Sequence, residues 1–283
     1  MSRRSIRRIR NAGRFCGFVA ALVLAGGAVA AEPYTLKGDW EQGSVLVGTT
    51  TPGTKVTFNG RKLSVSPEGL FVFALDRDAK PEAELRVAPP HEADVVETHS
   101  VTRREWDIQP IAGLPPKLVN PPPETAARIK REQALIGAVK QRDTARSDFA
   151  MPFIWPVTGR ISGVFGSQRI LNGTPKSPHY GVDVAVPIGT KVVAPAGGIV
   201  SLAERDLYFT GGTVIIDHGH GLQSILVHLS KLLVKPGEMV TQGQLVAESG
   251  MTGRATGPHL HWGLYWFDEH VDAQKFTGPM PAP

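Results

Sequence analysis

The chain has 283 residues, 41% of them hydrophobic, with 31 basic and 26 acidic side chains and a net charge of +5. Six of the basic residues, Arg3, Arg4, Arg7, Arg8, Arg10 and Arg14, stand in the first thirty positions with no acid among them. The remainder carries 25 basic against 26 acidic groups, a net charge of −1, so the pI of 9.4 belongs largely to the N-terminus and nucleic-acid binding through a broad basic field loses its main support.

The basic head is followed by an apolar stretch from Phe15 to about Val29, and Ala28-Val29-Ala30 is a small-residue cleavage site ahead of Ala31. This pattern predicts a secretory signal peptide over residues 1–30, with an apolar run too short for a comfortable membrane span. The single cysteine, Cys16, falls inside it, which excludes a disulfide within the processed chain. The expected destination is extracytoplasmic, a bacterial periplasm or cell envelope.

Roughly 250 residues remain, enough for one to two domains. Ser44–Val47, Lys55–Phe58, Leu63–Val65 and Leu70–Phe73 are short alternating runs. Asn59-Gly60 between two of them is a hairpin signal, because both residues tolerate positive φ. Pro52-Gly53 and Pro67-Glu68-Gly69 mark further turns. Short strands with regular turns predict a small β-sandwich over residues 31–112. The run from Val47 to Leu75 resembles the immunoglobulin-like modules of bacterial envelope proteins and holds no cluster suited to chemistry. A spacer role, or docking to an envelope protein partner, is therefore expected of it.

Residues 113–148 read as a proline-rich linker followed by a helix. The prolines between Leu114 and Pro123 rule out a continuous helix or central strand. Glu124 to about Asp148 then becomes helix-like, with Ile129, Leu135, Ile136 and Val139 as an irregular apolar stripe. Its mixed acids and bases predict packing on a neighbouring domain, since a membrane-surface helix would show a strongly basic face.

From Phe149 the pattern returns to β. Val182–Val186, Lys191–Ala194, Thr213–Ile216, Leu222–His228, Val246–Glu248 and Leu260–Leu264 are candidate strands separated by glycines and prolines. The whole is thus mainly β, with the chemistry in residues 149–283. His179 and Asp183, four apart, share one face of an extended segment, and His259 and His261 share one face while Leu260 turns to the other. A carboxylate and three imidazoles in β-type segments form the donor chemistry of a catalytic zinc, which takes three protein ligands and keeps a fourth position open. Asp183, between Val182 and Val184, needs a counter-ion if buried. His228 ends a strand in which Ser224, Leu226 and His228 alternate onto one face. His218 and His220, at a turn in DHGHG, read as structural, and His91, His99 and His270 have no supporting constellation.

The segments PHYGVDVAVPIGTKVVAPAGGIV, VIIDHGHGLQSILVHLS and VKPGEMVTQGQLVAESGMTGRATGPHLHWGL occur in the order found in the lysostaphin/LytM-type zinc metallopeptidases, and WPVTGRISGVFGSQR resembles the start of that domain. The resemblance covers about Phe149 to Val271. It implies a mainly antiparallel β domain with a groove, a bound Zn2+ and peptidoglycan peptides as substrate. Carried over by motif, His179, Asp183 and His261 are the implied metal ligands, and His228 and His259 the implied catalytic pair. Some members carry a tyrosine a few residues before the first ligand; the stretch 170–176 has none here, and Tyr180 and Tyr208 are the nearest.

Other classes fit less well. A cupin-type oxygenase pairs its His-Xaa-His with a glutamate about four residues on, where this chain has Gly263-Leu264-Tyr265-Trp266. A lipoyl-type carrier would need a lysine at the tip occupied by MTGRATG. The remaining alternative is a non-catalytic regulator of other cell-wall hydrolases, a type that loses zinc ligands, whereas this sequence keeps all three.

Overall fold

Asn59 and Gly60 take left-handed backbone angles, φ 46° and 80°, and close a two-residue hairpin that places Phe58 opposite Arg61. In this computed structural model the described residues are 32–111, 123–171 and 173–281. The expected signal peptide and nearly all of the proline-rich linker lie outside them.

The hairpin joins β3 (Lys55–Phe58) to β4 (Arg61–Leu63), among β1 (Tyr34–Lys37), β2 (Val45–Thr50), β5 (Leu70–Ala74), β6 (Glu82–Ala88) and β7 (Val95–Ser100). These form two antiparallel sheets, β1-β2-β5 and β4-β3-β6-β7. Phe58 of one sheet meets Phe73 of the other with ring centroids 4.3 Å apart. The expected strand Leu63–Val65 is displaced to Arg61–Leu63, because the tight turn leaves Leu63 opposite Val56 as the last pair. Ser64 then leaves the ladder and its hydroxyl donates to Asp143.

Next come β8 (Ile108–Ile111), helix α1 (Ala126–Lys140), β9 (Arg160–Gly163), β10 (Gln168–Leu171), β11 (Thr174–Pro175), β12 (Val182–Ala185), β13 (Lys191–Val193) and β14 (Gly198–Leu207). The rest are β15 (Gly211–Asp217), β16 (Leu222–Leu229), β17 (Lys231–Leu232), β18 (Met239–Val240), β19 (Leu245–Glu248), β20 (Leu260–Trp266), β21 (Glu269–Val271) and the short α2 (Ala273–Thr277). The large sheet runs β18-β14-β15-β16-β20-β12-β9 with β21 on β20, every pair antiparallel. A smaller sheet has the order β13-β19-β17, and a third, β11-β10-β8, pairs β8 with β10 in parallel. The protein is mainly β.

One face of the large sheet, with Leu226, Leu260, Trp262 and Leu264, belongs to the main core. The other carries Ile215, Ile225, Val227 and Tyr265, against which α1 packs Val139 and Ile136. The end of α1 is held there by polar contacts: Gln223 Nε2 donates to the Val139 carbonyl at 3.0 Å, and Lys140 Nζ lies 3.0 Å from His270 Nε2. The helix stops at Lys140, short of Asp148, because the following residues are bonded elsewhere. Thr144 donates its hydroxyl to Asp217, and its carbonyl accepts from the His220 N–H.

The two-sheet module shares one contiguous core with the large sheet. Phe58 lies edge-on to Trp266 at 6.2 Å, Arg61 sits 4.1 Å above the Phe267 ring, and Arg104 pairs with Asp272 at 3.0 Å. Beside this joint is a cavity of about 760 Å³ lined by Arg61, Asp76, Asp268 and Glu269 among others. Burial and the neighbouring Asp76 push the Glu269 carboxyl up from 4.5 to about 7, against the pull of Arg61. The folded protein therefore holds this proton more tightly than the unfolded chain does. That contribution to stability is full below pH 4.5 and is lost as pH rises through 7. Urea unfolding at a series of pH values should show a smaller loss of stability across this window in Glu269→Gln than in the parent. Parallel pH profiles would overturn the assignment.

Candidate metal centre

Strands β12 and β20 pair in a register that sets Asp183 directly opposite His261, and in an antiparallel sheet such partners project from the same face. His179, on the segment entering β12, reaches the same point. Its Nε2 lies 3.0 Å from Asp183 Oδ1 and 2.9 Å from His261 Nδ1, and the latter is 2.9 Å from the same carboxylate oxygen. The His179 Nδ1–H donates to the Val164 carbonyl at 2.9 Å, which leaves its Nε2 as a lone pair aimed at the cluster. Three acceptor atoms thus converge where one divalent cation would satisfy all of them. Bonds of about 2.0–2.2 Å to a tetrahedral ion hold ligand atoms about 3.3–3.6 Å apart, a few tenths of an ångström wider than the 2.9–3.0 Å spacing found here. Among the described residues this is the one group of three or more histidine, cysteine or carboxylate side chains so arranged.

Burial opposes ionisation of Asp183, but the adjoining His179 and His261 imidazoles outweigh it and hold the carboxyl well below the ordinary range. His261 is lowered by burial first and by the charges of its neighbours next, against the opposing pull of Asp183, so it favours the neutral, ligating form. Three glycines make the room. A Cβ on Gly181 would fall 2.6 Å from His261 Nε2, and one on Gly163 would fall 2.4 Å from Asp183 Oδ2. Gly263 lies under the same imidazole, where a Cβ would meet the Tyr180 carbonyl at 2.9 Å. No periodicity or turn signal singled these glycines out; the close approach of the site side chains explains Gly163 and Gly181, and Ile225 with the Tyr180 carbonyl explains Gly263.

His259 and His228 complete the cluster of imidazoles. His259 Nε2 is 3.7 Å from Asp183 Oδ1, and its Nδ1 meets the Gly257 carbonyl at 2.8 Å. The His228 ring centroid is 4.7 Å from that of His259 and 6.3 Å from that of His261. Simple alternation would have put His228 on the core face with Ser224 and Leu226. A β-bulge prevents this: Gly212 pairs with Leu229 and Val214 with Leu226, so β16 holds one extra residue. His228 takes φ 63°, its N–H donates to the Thr210 carbonyl at 2.8 Å, and the ring turns onto the face of His261. Thr252 fixes the result. Its carbonyl accepts from His228 Nδ1–H at 2.8 Å, and its hydroxyl donates to the Leu229 carbonyl while accepting the Gly212 N–H, both at 2.9 Å. Burial lowers the His228 pKa to about 4, so the ring is neutral near pH 7 with its Nε2 lone pair available.

The remaining candidates are engaged otherwise. Tyr180 stacks on His270 at 3.9 Å, and Tyr208 lies 5.9 Å from the Arg128 guanidinium. His218 is fully buried between the Gly197 carbonyl and the Ser224 hydroxyl, as expected of a structural residue.

The sequence model of Peptidase family M23 matches residues 177–273. A crystal structure from Pseudomonas aeruginosa assigned as a peptidase M23 superposes with a TM-score of 0.66 at 32% identity, over 85% of this chain and 96% of that one. The chain belongs to peptidase family M23. Among curated members it is 43% identical over 124 residues to the peptidoglycan DD-endopeptidase ShyA of Vibrio cholerae, covering 44% of this chain and 29% of that one. It is 39% identical over 103 residues to the DD-carboxypeptidase/endopeptidase Mpg of Neisseria gonorrhoeae, covering 36% of this chain and 24% of that one. This M23 chain therefore spans less than a third of the length of these curated relatives.

Proposed function

We propose that this chain is a zinc-dependent endopeptidase that hydrolyses peptide cross-links of peptidoglycan in the cell envelope. The observation that carries the reading is the convergence of His179 Nε2, Asp183 Oδ1 and His261 Nδ1 within 3.0 Å of one another, with the His179 tautomer set by Val164. Zinc held by these three residues would supply Lewis acidity, polarising a carbonyl oxygen and acidifying a water. The names of the curated relatives support a peptidoglycan substrate, and the export signal read in residues 1–30 supports the compartment. A D-alanyl–diaminopimelate cross-link is the bond class that agrees with both.

The remaining work falls to His259 and His228. Each donates its Nδ1–H to a backbone carbonyl, Gly257 or Thr252, and so presents Nε2 as an acceptor. Imidazoles in this position accept the proton of the attacking water and, once charged, stabilise the oxyanion and protonate the departing amide nitrogen. Asp183 stays ionised and confers one negative charge on the ligand set, so a divalent ion held there would keep net positive charge.

Purified protein incubated with defined cross-linked muropeptides should convert dimers to monomers, identified by mass, and should contain one zinc by elemental analysis. Zinc without any cleaved product would favour the non-catalytic regulator. Absence of both would reject the metal-centre reading itself.

A further inference from the structure

His179 hangs on a loop rather than on a strand ladder. Three hydrogen bonds tie it to residues 164–167. Its ring Nδ1–H donates to the Val164 carbonyl at 2.9 Å, its N–H donates to the Ser167 carbonyl at 2.8 Å, and its carbonyl accepts from the Gly166 N–H at 2.8 Å. The orientation of one cluster residue therefore depends on where that loop sits.

The N-terminal module grips the loop from its far side. Arg77, only 6% exposed, donates its Nε–H to the Gly166 carbonyl at 2.8 Å. Trp106 packs flush on the same residue: a Cβ on Gly166 would fall 2.1 Å from Trp106 Cε3, and Gly166 has φ 83°, so both space and backbone demand glycine. Trp106 is edge-on to Phe165 at 5.7 Å, with the guanidinium carbons of Arg77 and Arg104 at 5.1 and 4.5 Å from its ring centre. Directly afterwards the Gln168 N–H donates to the Asp107 carbonyl at 2.9 Å, which opens the parallel pairing of β8 with β10. A buried guanidinium is costly where packing alone is needed. Here it fixes the peptide unit next to the one that holds His179.

We infer that Arg77 and Trp106 are positioning residues for the metal centre, so the N-terminal module completes the support of His179 and is more than a spacer. This rests on the reading of His179 as a zinc ligand. Both residues lie outside the 177–273 segment matched by the family, so the support comes from this chain's own N-terminal part.

The test is zinc affinity, measured in the whole protein by competition with a chromophoric chelator. Arg77→Met keeps the stem but removes the donor, and should weaken zinc binding about tenfold to a hundredfold, the range found when outer partners of metal ligands are lost. Trp106→Phe should shift it in the same direction by less. Val56→Ala is the control: Val56 is buried in the same module, and its strand pairs with β4 and β6 rather than with the loop. Zinc affinity unchanged in folded Arg77→Met would overturn the inference. So would an equal loss in Val56→Ala at matched thermal destabilisation, because the effect would then be one of general stability. If Arg77→Met does not fold, an unchanged zinc affinity in Trp106→Phe overturns the inference in its place. A parent chain that binds no zinc, or His179→Ala binding it as the parent does, would sink the metal-centre reading instead.

Discussion

The His261→Ala protein should lose its zinc and its hydrolytic activity together. His261 Nδ1 is one of three atoms that meet within 3.0 Å, and its removal leaves His179 and Asp183 as a two-ligand site, too few for a stable catalytic zinc. Hydrolysis should fall to the level of the chelated parent protein, and excess zinc should not restore it. Stoichiometric zinc with full hydrolysis in this variant would end the assignment of His261 as a ligand.

His259→Ala should do the opposite with the metal: zinc stays and catalysis falls by about a hundredfold or more, the scale of a positioned acid–base or oxyanion group. Its Nε2 stands 3.7 Å from Asp183 Oδ1, outside the 2.9–3.0 Å triangle of the three proposed ligands. His228→Ala should behave alike, since its ring is 4.7 Å from that of His259 and is neutral above its lowered pKa of about 4. Groups serving one transition state are not additive, so the double variant should lose less than the product of the single losses. Zinc content and turnover measured on the same samples decide the matter. An empty site in His259→Ala beside a filled one in His261→Ala would reverse the roles within the motif.

Much of this molecule is written locally. Asn59-Gly60 announces its hairpin because a two-residue turn needs two left-handed residues, and both are found there at φ 46° and 80°. The mainly β class follows from alternation broken by glycine and proline, and β12 and β20 fall where Val182–Val186 and Leu260–Leu264 were expected. Four of the candidate side chains, His179, Asp183, His259 and His261, were also legible, because a carboxylate and imidazoles in strand-like segments have few other uses. The family resemblance added His228 and the division of roles, which spacing alone left open.

Tertiary structure decided how those side chains meet. Period-two alternation assigns His228 to the core face with Leu226, and only the extra residue opposite Gly212 and Val214 turns it outward. A bulge is a property of two paired strands, so neither strand displays it alone. Gly163 and Gly181 look like ordinary glycines until Asp183 and His261 lie across them. The end of α1 at Lys140 and the grip of Arg77 and Trp106 on Gly166 depend on partners dozens of residues away. The sequence by itself determined which chemistry is available and which secondary structure carries it, because both are encoded within a few residues. The placement of that chemistry to within an ångström came from cross-strand register and long-range packing, which no local pattern contains.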